Sequence, residues 1–190
     1  MSITKWLLTK GYIQPDDAEV YVYGFDITIA SLWNNFLLIA LSFLFGNAFR
    51  GLVYSLAFTP IRVYGGGYHL KTHWGCTLMT LGSFIVCYWG TTLLMPFANP
   101  FLLGGLFLVI LLICLWKAPV VHPNNPIAPE KHPRLRFKCI LGVVLAFGVC
   151  FALYFARWNV SYALMIAFTQ SAAALSLLFA NKAEPNSAAI

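Results

Sequence analysis

Residues 62–76 read Arg-Val-Tyr-Gly-Gly-Gly-Tyr-His-Leu-Lys-Thr-His-Trp-Gly-Cys, the densest polar stretch in a chain that is otherwise strongly apolar. A guanidinium, three consecutive glycines, two imidazoles and a thiol fall just before a long uncharged run. A thiol and an imidazole together suggest a cysteine nucleophile and its base. Cysteine attacks as the thiolate, and at the ordinary thiol pKa of about 8.5 only a few per cent is ionised near neutrality, so a nearby base or cation matters. Cys76 has both kinds nearby: His69 and His73, and the cations Arg62 and Lys71. On a regular helix His73 and Cys76 share a face at i, i+3. His69 sits two turns away, about 10 Å along the axis, unless the chain folds back. Gly65-Gly66-Gly67 permits such a bend. Spacing alone therefore leans slightly to His73 as the base and leaves His69 open. No carboxylate or fourth ligand lies near His69, His73 and Cys76, so no metal is expected there, and no cofactor.

The elements that must hold these residues are membrane helices. Of the 190 residues 60% are hydrophobic and 9% charged, against about 25% charged in a soluble domain. Residues 74–116 carry no formal charge, nor do 139–156 or 158–181. About 20 apolar residues cross the hydrocarbon core. The pattern predicts an all-α, polytopic membrane protein: four clear transmembrane helices, with an N-terminal hairpin or span before them, giving about five to six membrane segments. It forms one domain over 1–190. Within it, 1–26 are N-terminal surface helices opened by Pro15-Asp16-Asp17, with Tyr23-Gly24 bending or ending the helix. Residues 27–61 are the first membrane segment or segments, interrupted at Arg50, either one span plus a partial helix or a hairpin in one leaflet. Residues 62–76 are the chemical motif. Residues 117–138 are a basic loop too proline-rich for helix, and 181–190 are a polar tail.

The net charge of +6 is a topology signal rather than a nucleic-acid one. Lys117, Lys131, Arg134, Arg136 and Lys138 cluster in or beside the 117–138 loop, and basic loops stay in the cytoplasm. Counting spans back from that loop puts 62–73 on the cytoplasmic face as well. Of the five cysteines, those at 87, 114, 139 and 150 read as small buried side chains, and a disulfide framework is not expected.

The pattern Arg-x-x-x-Gly-Gly-x-His, with a cysteine seven residues after the histidine, resembles the signature of the AgrB family, the accessory gene regulator membrane endopeptidases. Here it is Arg62, Gly66, Gly67, His69 and Cys76. Tyr23-Gly24, Ala118-Pro119-Val120 and Pro126-Ile127 are similar to further family features, and length and hydropathy agree across nearly the whole chain. The resemblance selects His69 over His73 as general base. It implies a multi-pass protein of the bacterial cell membrane, acting as a cysteine endopeptidase and peptide cyclase in quorum sensing. Its implied substrate is a small propeptide with an amphipathic leader and an acidic tail. Cys76 would cut off the tail through an acyl-enzyme thioester, and the peptide would close to a thiolactone or lactone. On that reading Arg62 stabilises charge, Gly66 and Gly67 supply a bend or oxyanion donors, and Lys131, Arg134, Arg136 and Lys138 attract the acidic tail. A homodimer is also implied. The contrasting alternative is a small non-catalytic transporter or peptide-binding membrane protein. No proton or ion relay is visible in the spans to favour transport.

Overall fold

The computed structural model describes residues 18–67, 73–120 and 129–180, without the side chains of residues 18–20, 22–24, 26, 27 and 73. Among these residues the chain is helical, with no strand. Helix α1 spans Ala18–Leu44 and α2 Ala48–Pro60, followed by a π-helical turn at Ile61–Gly65. Helix α3 spans His73–Leu94, α4 Pro100–Lys117, α5 His132–Phe155 and α6 Val160–Leu178. Four stretches are long and apolar enough to cross a membrane: Trp74–Phe97, Pro100–Lys117, Pro129–Phe155 and Val160–Leu178. The four expected spans are thus present.

Three sequence expectations need correction. Tyr23-Gly24 does not end a helix, because α1 runs through both. One glycine costs a helix only about 1 kcal/mol, less than its apolar neighbours recover. The interruption in 27–61 falls at residues 45–47 rather than at Arg50. Gly46 takes a positive φ of 82°, Asn47 caps α2 by accepting from Arg50 N, and Ser42 Oγ is tied to Asn47 O and Gly51 N. Arg50 lies inside α2, its charge shared with hydroxyls. It donates to Thr92 Oγ1 and Ser161 Oγ, and its guanidinium lies 4.5 Å from the Tyr88 ring centre. The two resulting helices have 27 and 13 residues. The shorter is about 20 Å long, less than the hydrocarbon thickness of about 30 Å. Finally, residues 132–138 are not loop but the opening turns of α5. Pro133 sits in the first turn, where its missing N–H costs nothing. The expected surface helix within 1–17 and the tail 181–190 lie outside the described residues.

The described residues from Leu38 onward form one compact unit, and those before Leu38 belong to another. In the larger unit α6 is the hub, packed by α2, α3, α4 and α5. Its apolar window is 61% buried, against 17–28% for the other spans. Small side chains make this possible: Ala163, Ala167, Ala173 and Ala174 are all buried on it, and small residues let membrane helices approach closely. Gln170 is buried on α6 and donates to Ala57 O of α2 at 2.6 Å. Gly142 of α5 lies so close to Pro60 that a methyl there would overlap the ring.

Hydrogen bonds between elements fix the ends of this bundle. Arg50 joins the start of α2 to the end of α3 and the start of α6. Tyr154 donates to Ala98 O, joining the end of α5 to the start of α4. The opposite end therefore gathers the π turn, the start of α3, the end of α4, the start of α5 and the end of α6.

Candidate functional site

Pro60 has no N–H to continue α2, and the chain widens into the π turn Ile61–Gly65 before leaving the helix. π-helical turns recur at functional sites. This one carries Arg62, whose Nη2 reaches Cys76 Sγ at 3.5 Å across 14 residues of sequence. Cys76 is the fourth residue of α3. It is partly exposed, whereas Cys87, Cys114, Cys139 and Cys150 are buried, and all five thiols are free. The four cysteines read as buried packing residues are just that.

The glycines do different work. Gly65 packs its bare Cα face against Cys139, whose sulfur would stand 3.0 Å from an added methyl, and its carbonyl accepts from Val120 N at 2.8 Å. Gly66 and Gly67 have φ of 83° and 134°, a region that L side chains rarely enter. A methyl on Gly66 would lie 2.7 Å from Val120 O. On Gly67 it would lie 2.7 Å from both Arg62 Nη1 and Ser176 Oγ. The turn is thus held from outside by the Ala118–Val120 segment, and its bare glycine backbone lies close to the guanidinium.

A cavity of about 30 Å³, lined in part by Cys76, lies between α2, α3 and α6. Thr80 and Ser83 line it from α3, one and two turns below the thiol, with Met79 beside them. Phe58 and Arg62 close it from the α2 side, and Ala172 and Ser176 from α6. Fully buried Tyr54 hydrogen-bonds with Ser83 Oγ beneath it. Sequence reading missed all of these except Arg62 and Cys76. Thr80 and Ser83 follow Cys76 at i+4 and i+7 and were legible once a helix was assumed. Ala172 and Ser176, nearly 100 residues away, carry no such signal.

The structure thus brings Arg62, Gly67 and Cys76 to one place. His69 and Lys71 lie outside the described residues, as does the side chain of His73, so the choice of base is made elsewhere. The basic residues stand at the same end of the bundle. Lys138 Nζ lies 5.4 Å from the Tyr64 ring centre. Arg136 Nε donates to Ala118 O at 2.7 Å, which steadies the segment that in turn holds Gly65 and Gly66. Lys131 and Arg134 are exposed.

Comparison with known proteins agrees with the motif. The accessory gene regulator B family matches residues 1–178. The chain belongs to this family. An AgrB-like protein of Halalkalibacterium halodurans is 28% identical over 146 residues, covering 74% of this chain and 68% of the relative. One from Listeria welshimeri is 26% identical over 152 residues, 75% and 71% of the two chains. The accessory gene regulator protein B of Staphylococcus intermedius is 28% identical over 123 residues, 64% of each. No solved structure matches. Membership in the AgrB family, with four apolar helices of spanning length, makes this a multi-pass membrane protein with a role in processing agr quorum-sensing peptides.

Proposed function

We propose that the chain is a membrane cysteine endopeptidase and peptide cyclase. Cys76 is the nucleophile, His69 the general base and Arg62 the charge-stabilising residue. The observation that carries this is the convergence of Arg62 on the one partly exposed thiol, at 3.5 Å, beside a glycine turn in an AgrB-family chain.

His69 takes the thiol proton as Sγ attacks the carbonyl before the acidic tail of a small propeptide. The carbonyl pair moves to oxygen. Arg62 and the N–H groups of the Gly66-Gly67 turn face this developing charge, an arrangement that lowers barriers because the donors are already oriented. Collapse expels the tail's amine, which takes its proton from His69, and leaves a thioester on Cys76. A thiol or hydroxyl within the peptide then attacks the thioester. The ring closes as a thiolactone or lactone and the Cys76 sulfur is released. A thioester passes to another thiol at little energetic cost, and a site at the membrane edge limits competing water.

The exposed Lys131 and Arg134, with Lys138 and Arg136, attract the acidic tail. Six described cations (Arg62, Lys117, Lys131, Arg134, Arg136, Lys138) stand at the Cys76 end of the bundle, against Arg50 and Arg157 at the other. The positive-inside bias supports placing this end, and the chemistry, at the cytoplasmic face. The working assembly is a homodimer, with the bilayer and the propeptide as its other partners.

The test is reconstitution in vesicles with candidate propeptides that carry an amphipathic leader, an internal Cys or Ser and an acidic tail. Mass spectrometry should show tail release and a covalent peptide adduct on Cys76. Peptide binding with neither product would instead indicate a non-catalytic peptide-binding or transport protein.

A further inference from the structure

We infer that Gln170 is a positioning residue for the proposed reaction: by holding Ala57 O it fixes the end of α2 on α6 and so aims Arg62 at Cys76. This rests on the reading of Cys76 as nucleophile and of Arg62 as the residue that stabilises the developing charge.

The backbone between Ala57 and Arg62 is where α2 loses its own ladder. Pro60 has no N–H to give to Leu56 O. Ile61 N, which a continuing α-helix would give to Ala57 O, goes to Phe58 O instead. Two successive carbonyls thus lose their α-helical donors just ahead of the π turn that carries Arg62. The direction in which that turn leaves α2 then depends on contacts from other helices.

Gln170 supplies one of them at the break itself. Its Nε2 reaches Ala57 O at 2.6 Å across 113 residues of sequence, and both residues are buried. Tyr54 also ties α2 to another helix, through Ser83 of α3, but three residues before Ala57 and inside the intact ladder.

The helix that carries Gln170 is the frame for both halves of the site. Two and six residues further along α6, Ala172 and Ser176 line the same cavity as Arg62 and Cys76. Thr91 of α3 donates to Met165 Sδ of α6 at 3.5 Å, so the helix bearing Cys76 rests on α6 as well. Arg62 Nη2 meets Cys76 Sγ at 3.5 Å, and a displacement of about 1 Å at a reacting centre can cost about 100-fold in rate.

The rest of the Gln170 side chain adds little to stability. Its Oε1 is buried with no hydrogen-bond partner among the described residues. An unpaired buried acceptor is costly, which offsets what the Nε2 bond contributes. Methionine is of similar length, adapts to irregular space, and removes both the bond and the unpaired oxygen.

The experiment uses the whole protein in vesicles and a synthetic propeptide with an amphipathic leader, an internal Cys and an acidic tail. Cleavage is measured for wild type, Gln170→Met, Arg62→Ala and the double variant, with thermal unfolding in detergent beside it. Gln170→Met should lower kcat by about 10-fold, part of the loss expected from a misplaced group, with KM and Tm near wild type. On the Arg62→Ala background the same substitution should cost little further, because the group it aims is gone and coupled residues are not additive. Gln170→Asn keeps an amide but withdraws it from Ala57 O, and should lower kcat in the same way. Unchanged kcat, a loss that adds fully to that of Arg62→Ala, or a loss matched by KM and Tm overturns the positioning role, while cleavage by wild type keeps the nucleophile reading intact. Failure of both Gln170 variants to fold also overturns it, since Gln170 would then be a requirement of the bundle. Absence of cleavage by wild type overturns both.

Discussion

At the scale of single residues, the arrangement turns on Arg62 and the thiol it reaches. If the guanidinium serves the charge that forms during attack, Arg62→Ala should lower kcat by about 100-fold, the usual loss when one such donor is removed. Propeptide binding should weaken far less. Arg62→Lys should recover only part of the rate, because an ammonium lacks the planar fork. Single-turnover cleavage in vesicles measures both. Cys76→Ala should abolish cleavage and retain binding. His69→Ala should do the same, with His73→Ala milder. If His73→Ala removes activity and His69→Ala spares it, the assignment of the base reverses.

At the scale of elements, the decisive piece is the turn after α2. It leaves a helix through Pro60, widens over Ile61–Gly65 and then takes two positive-φ glycines. Gly66→Ala forces a side chain into that backbone region, at a cost of roughly 1–3 kcal/mol, and brings it against Val120 O. Cleavage should fall by more than 10-fold, out of proportion to the lost stability, as the turn shifts relative to Cys76. Gly142→Ala provides the contrast. Its methyl meets the Pro60 ring rather than the glycines of the turn, an overpacking of about 1–3 kcal/mol. Thermal unfolding in detergent should show a lowered Tm for Gly142→Ala, while activity per folded molecule holds near wild type. Equal activity losses in the two variants would mean that the turn matters only for folding.

For the molecule as a whole, the bundle places its candidate site and most of its described cations at one end. α6 is the axis: a small-residue helix buried along most of its length, carrying Ser161 against Arg50 at one end and Ser176 against the glycine turn at the other. If the basic end draws in an acidic tail, replacing Lys131, Arg134 and Lys138 together by Gln should raise KM several-fold with kcat little changed. The wild-type KM should rise with salt while the triple variant's stays flat, since screening acts on exposed charges. A triple variant with unchanged KM and unchanged salt response would reduce these cations to topology markers. Arg136 is left out of the set because its Nε holds Ala118 O. Removing it should disturb the turn and so lower kcat.

The sequence by itself determined the class of molecule and marked the candidate site. Uncharged runs of spanning length dictate membrane helices because an unpaired charge in hydrocarbon is costly. The close spacing of Arg62, the glycines and Cys76 announced a site because those types rarely gather by chance in an apolar chain. Helix ends were less legible. Pro133 begins a helix where composition suggested a loop, and Gly24 sits inside one, because a first turn tolerates proline and apolar neighbours outweigh one glycine. Only the tertiary structure decided what surrounds the sulfur. Arg62 folds back 14 residues through a π turn, and Val120, Ala172 and Ser176 arrive from segments more than 40 residues away. Their selection depends on which helix faces the hub α6, and that depends on side-chain size at each crossing rather than on any local pattern.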